Sequence, residues 1–173
     1  MRRAGTEKPA SAVRVDGGDG VTLDGEWCIP EQARGIVAFA HGSGSSRHSP
    51  RNQFVARALR EAGLGTLLFD LLTAREDAVY ETRFDIELLA KRLVAATTWL
   101  HRQPAARSLG VGYFGASTGA AAALIGAARS GAAVKAVVSR GGRPDLAEAA
   151  LSLVTAPTLL IVGGLDDVVI DLN

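Results

Sequence analysis

The chain has 173 residues, 47% of them hydrophobic and 21% charged, which suits one soluble globular domain and excludes a disordered chain. Its 19 basic residues against 18 acidic ones leave a formal net charge of +1, without the basic excess of a dedicated nucleic-acid binder. One cysteine, Cys28, forbids an intrachain disulfide, reads as a small buried hydrophobe and fits a reducing, cytoplasmic setting.

The start, "MRRAGTEKPASAV", has two arginines and no apolar stretch behind them, so it does not read as a signal peptide. Residues 1–11 are expected to form a loose tail, and residues 12–173 one domain. "AVRVDG" and "VTLDGEWCIP" alternate in polarity around turn residues and predict an antiparallel hairpin. "GIVAFAHG" is a continuous apolar run ending in glycine, the pattern of a strand buried on both faces. "SPRNQFVARALREAG" predicts a helix that Gly63 stops. "LGTLLFDLL" is another buried strand. "ETRFDIELLAKRLVAATTWLHRQP" predicts one long amphipathic helix with Phe84, Leu88, Leu89, Leu93, Ala96 and Leu100 near one face. "LGVGYFGAS" (strand), "TGAAAALIGAARSG" (helix), "VKAVVSRGG" (strand), "PDLAEAALSLV" (short helix) and "PTLLIVGG" (strand) complete the order. No apolar run reaches the roughly 18–20 residues of a membrane span; Arg129 and Lys135 interrupt the longest Ala-rich region.

A hairpin followed by strands alternating with helices predicts an α/β fold: a mostly parallel sheet with helices on both faces and an N-terminal antiparallel hairpin. In such sheets the ligand site lies beyond the carboxyl ends of the strands. The polar and glycine-rich motifs fall there. Gly115-Ala116-Ser117-Thr118-Gly119 matches G-x-S-x-G between a predicted strand and a predicted helix. A tight strand-to-helix turn with small neighbours lifts a serine hydroxyl above the sheet, at the positive end of the next helix. Ser117 therefore reads as a nucleophile, with a plain serine N-cap as the competing reading. "HGSGSSRHSPRN" follows the third strand; a His-Gly start there lets an N–H approach a tetrahedral oxygen. Ser43 and Thr118 are nominated as oxyanion-hole donors. A phosphate-cradling loop would need the G-x-x-x-x-G-K-[ST] pattern, which does not occur. "IVGGLDDVV" places Asp166, or as second choice Asp167, where an acid could orient a histidine; a turn aspartate is the alternative. Gly110, Gly112 and Gly115 match G-x-G-x-x-G, but inside an apolar strand and with Lys135 where a ribose-binding acid belongs, so no dinucleotide cofactor is expected. No metal or other cofactor is expected either.

The segments "FAHGSGSSRHSPRNQFVARALREAGLGTLLFDLLT", "GYFGASTGAAAAL", "SRGGRPDL" and "APTLLIVGGLD" together resemble the dienelactone hydrolase-like α/β-hydrolases, which are sometimes fused to a phosphoribosyltransferase domain. The resemblance runs from about residue 12 to residue 173. It implies a serine hydrolase of carboxylic esters or lactones, with Ser117 as nucleophile and Asp166 as acid. The dienelactone hydrolases proper use a cysteine nucleophile, so their substrate does not carry over to Ser117. No phosphoribosyltransferase sequence is present.

In this fold the triad runs Ser, then Asp or Glu, then His. Residues 167–173 contain no histidine, and the helix, strand and histidine loop that the resemblance implies do not fit in "DVVIDLN". The expectation is an α/β-hydrolase fold short of its last elements, with weak or no turnover. Of the three histidines, His101 ends the long helix, His41 reads as a loop-orienting residue and His48 is the only internal substitute for the base, more readily a pocket residue. Arg47 and Arg140 are possible anion contacts near strand ends, or solvated loop charges. The open edge of the last strand is expected to leave the chain marginally stable alone, dimeric through that edge, or part of a longer protein. A non-catalytic hydrolase-like binding module is the alternative function.

Overall fold

In a computed structural model, which describes residues 9–173, side-chain alternation along the strands divides the protein into two cores. Seven strands form one sheet: β1 (Ser11–Asp16), β2 (Thr22–Cys28), β3 (Ile36–Ala40), β4 (Gly65–Phe69), β5 (Val111–Ala116), β6 (Val134–Arg140) and β7 (Thr158–Ile161). The spatial order is β1-β2-β4-β3-β5-β6-β7. β1, β2 and β4 pair antiparallel, and every pair from β4 to β7 is parallel. The expected fold class is thus the observed one. Most of the expected N-terminal tail, residues 1–8, lies outside the described residues.

On one face Ile36, Ala38, Leu67, Phe69, Val111 and Tyr113 join the larger core. On the other, Phe39, Leu68 and Phe114 meet Ala56. Period two sends neighbouring strand residues to opposite faces, so an unbroken apolar run feeds both. Helix α1 (Pro50–Glu61) supplies Ala56 and covers the smaller core. Helices α3 (Ile86–Arg102) and α4 (Thr118–Ser130) cover the larger one. Between β4 and α3 lies α2 (Ala74–Asp77), a single capped turn. α4 is buried from Thr118 to Ala127, and its run of alanines lets α3 and the 3-10 segment Pro144–Leu153 approach closely.

The long helix predicted over 81–104 is two elements. Residues Glu81–Phe84 form a 3-10 turn, and Asp85 caps α3 by accepting from the Leu88 N–H at 2.9 Å. Phe84 is consequently exposed, and the buried stripe is Leu89, Leu93, Ala96 and Leu100. An aspartate three residues ahead of a leucine N–H is a helix start, and here it outweighs the apolar period that runs through it.

Arg92, on α3, is buried and donates to the carbonyls of Gly17 and Gly18 in the β1–β2 turn and to Glu76 Oε1 of α2 at 2.8 Å. This one guanidinium ties the hairpin, α2 and α3 together. β7 is the edge strand, and all four of its residues are exposed, with Leu159 at 56%. A short helix, α5 (Asp167–Asp171), follows it. Among the described residues no helix is long and apolar enough to cross a membrane.

Leu93 is fully buried in the larger core. Leu93→Ala should lower the unfolding free energy by about 2–5 kcal/mol in a urea titration. A loss below about 1 kcal/mol would mean that the α3–α4 seam is loosely packed.

Candidate active site

Ser117 sits between β5 and α4 with φ 52° and ψ −125°, a backbone conformation that side-chain-bearing residues avoid. The surrounding geometry enforces it. A Cβ on Gly119 would stand 2.1 Å from the Ala40 carbonyl oxygen and 2.4 Å from that of His41. A Cβ on Gly115 would stand 2.4 Å from Ala120 Cα. Only bare backbone fits at both points, so the first turn of α4 lies directly on the ends of β3 and β5. The Ser117 N–H is directed at the Arg140 carbonyl of β6, at 3.3 Å. The side chain makes no capping bond to α4 and is exposed, so the simple N-cap reading does not describe it.

The loop after β3 closes over the same point. A Cβ on Gly42 would come within 3.1 Å of Ser117 Cβ, so the backbone of this loop is in contact with the serine. The nominated Ser43 N–H donates to the Thr118 hydroxyl at 2.9 Å. Thr118 is the first residue of α4, and its own N–H has no carbonyl within the helix to meet.

His41 is buried beneath this loop, 8% exposed. Its Nε2 accepts from the Leu71 N–H at 3.1 Å, and its Nδ1 lies 3.0 Å from the Gly42 carbonyl oxygen. With Nε2 accepting, Nδ1 carries the proton and donates to Gly42. The ring therefore bridges the loops after β3 and β4. Burial holds its pKa below the ordinary 6.5, against the pull of the Gly42 carbonyl and the Asp70 and Asp77 carboxylates. Arg47 fixes the far side of the loop: both its N–H and its guanidinium bind Asp70, the residue after β4. Arg47 is thus engaged on a carboxylate, and with His41 it lines the hollow beside β2 and β4 rather than the cleft at Ser117.

That cleft has a volume of about 530 Å³. Ser117, Ser43, Arg140 and Asp166 all line it, so four nominated residues come together. Asp166 caps α5 by accepting from the Val169 N–H at 3.3 Å. Asp167 is exposed in the first turn of α5 and is not among the lining residues. His48 is exposed on the loop and does not line the cleft, and His101 lies in the last turn of α3. The sequence reading missed Arg51 and Asn52, which line the cleft from the first turn of α1. The packing of α1 on the sheet brings them there; the Ser49-Pro50 helix start was the available signal.

A dienelactone hydrolase from Anabaena variabilis superposes with a TM-score of 0.94 at 57% identity, over 97% of this chain and 79% of its own. An α/β serine hydrolase without a lid from Xanthomonas campestris shares the fold at 24% identity and a TM-score of 0.69, over 92% of this chain and 74% of its own. Two curated Mycobacterium tuberculosis proteins with a provisional phosphoribosyl transferase name are 62% identical over 153 residues, 88% of this chain. The chain spans about a third of the length of these curated relatives, 34%. No family model matches the chain.

For the buried His41 the pH dependence has a definite sign. An unfolded imidazole takes up its proton near 6.5, whereas the folded one resists protonation to lower pH. Stability from this group is full above 6.5 and is lost as pH falls below it, until the folded value is passed. Urea titrations across this range should show the decline, and His41→Gln should flatten it. An unchanged slope would mean that His41 is not held neutral.

Proposed function

The chain belongs to the dienelactone hydrolase-like family of α/β hydrolases, and from that premise we propose that it acts on carboxylic esters or lactones through Ser117. The observation that carries this is the strained serine, held at the strand-to-helix bend with its hydroxyl in the cleft. A backbone strained at about 1–3 kcal/mol persists where the surrounding packing insists on it. Here the packing presents the Ser117 alcohol, the one of the lining serines on a strained backbone, to a ligand-sized space.

In this reading Ser117 Oγ attacks the ester carbonyl and its proton leaves to a base. The carbonyl oxygen becomes an oxyanion beside the Thr118 N–H and the positive end of α4. Ser43 supplies a second N–H by exchanging its bond from the Thr118 hydroxyl to that oxygen. Collapse of the tetrahedral species expels the alcohol and leaves an acyl-serine, which water hydrolyses. Asp166 is the acid; its Oδ2 has no hydrogen-bond partner among the described residues and could receive an imidazole N–H.

None of the three histidines stands in the cleft with Ser117 and Asp166. With these residues alone turnover is weak or absent, because a triad lacking its base keeps only binding and oxyanion stabilisation. The same observation favours a second reading, a hydrolase-like cleft that binds without chemistry. The transferase name of the mycobacterial relatives belongs to proteins of which the matched segment is 34%. We assign this chain to the hydrolase-like portion of such proteins.

Prolonged incubation with a fluorophosphonate should attach one adduct to Ser117 by mass spectrometry and none to Ser117→Ala. Equal modification of both would remove Ser117 from the mechanism. Added imidazole should raise p-nitrophenyl ester turnover by the wild type at least ~10-fold above its effect on Ser117→Ala. Identical increments in the two proteins would favour the binding reading.

A further inference from the structure

The lining of the cleft includes two cations with no carboxylate partner. Arg47, Arg92 and Arg143 are each paired with a carboxylate. Arg51 and Arg140 have none among the described residues, and both line the cleft beside Ser117. The Arg140 Nε–H is buried without an acceptor, and its Nη2 has only a long contact to Asn52 Oδ1 at 3.4 Å. Burial, with the Arg51 charge added, lowers the Arg140 pKa from its ordinary value. Neither guanidinium is ion-paired, and the Asp166 carboxylate is the one acidic group among the described residues that lines the same cleft, leaving it a net positive charge.

Arg51 is misplaced for the helix alone. The first turn of α1 carries no acidic residue and has an arginine at its second position. Helix N-termini favour anions and disfavour cations. Two arginines and a helix N-terminus consequently bear on one volume, which Ser45 and Ser49 also line. Each of these features gains when an anion enters, and a doubly charged oxyanion cancels both guanidinium charges at once.

We propose that Arg51 and Arg140 select esters whose non-reacting arm ends in a phosphate-type dianion. This rests on the hydrolase reading for what happens at Ser117, but not for anion binding. The two arginines hold the terminal group while the ester carbonyl lies at the serine. The arrangement sets specificity and adds no chemical step. A monocarboxylate leaves one positive charge unmatched and binds more weakly.

The test is calorimetric titration of the full chain at low ionic strength, where charged contacts are least screened. The probes are phenyl phosphate, inorganic phosphate and benzoate. Phenyl phosphate should bind at least ~10-fold more tightly than benzoate, and more tightly than inorganic phosphate because its ring occupies the cleft. Arg51→Gln and Arg140→Gln should each weaken phenyl phosphate binding ~10-fold or more. Arg57→Gln, exposed on α1 and not among the cleft-lining residues, should change it less than ~2-fold. Phenyl phosphate should also slow fluorophosphonate attachment to Ser117.

Absence of binding, equal affinity for benzoate, or equal loss in Arg57→Gln would overturn the proposal. Inorganic phosphate binding as tightly as phenyl phosphate would reduce the site to a general anion trap and overturn the substrate-arm reading. If Arg140→Gln does not fold, Arg51→Gln, at an exposed helix position, decides alone. Anion binding without Ser117 modification would sink the hydrolase reading and spare this one; modification without anion binding would do the reverse.

Discussion

The contact on which the rest of the structure depends is bare backbone against bare backbone: the first turn of α4 resting on the carbonyl ends of β3. Gly119 has no room for even one methyl group against the Ala40 and His41 oxygens. That approach brings the loop after β3 over Ser117, and it leaves the chain only a sharp bend by which to enter the helix. The bend in turn sets the serine backbone at positive φ and its hydroxyl in the open. Fold and site are one packing solution here, since relaxing the contact would move the loop and the serine apart together.

The loop is then fixed from outside the cleft. His41 reaches the backbone of the β4 loop through Nε2, and Arg47 grips Asp70 in the same loop. Both were candidates for touching a ligand. Both instead hold the wall that a ligand would meet from its other side. A neutral buried imidazole and a half-buried ion pair serve this purpose because their partners are backbone groups and a carboxylate already fixed at a strand end. On the cleft side, Arg51 and Arg140 are left without a carboxylate partner among the described residues.

Much of this was legible in the residues. Apolar runs punctuated by glycine marked the central strands, and G-x-S-x-G between a strand and a helix marked the bend, because both signals are local. The long helix was misread because an apolar period continued across Asp85, while a capping aspartate stopped it. Asp166 could be placed at a strand end from its glycines alone. The positions of Arg47 and Arg51 could not: one binds an aspartate 23 residues away, and the other enters the cleft only through the way α1 packs on the sheet. Such outcomes depend on contacts between distant segments, which no short pattern records.

The backbone at residue 117 has a further consequence for how this sequence can drift. Its dihedral angles are ones that glycine adopts freely and serine does not. By folding alone, glycine would be the better residue there, and replacement would relax the chain rather than injure it. A lineage released from chemistry would therefore find an easy downhill step at this codon. That an alcohol is held there against the preference of its own backbone is a cost to robustness, which the proposed role at Ser117 would account for.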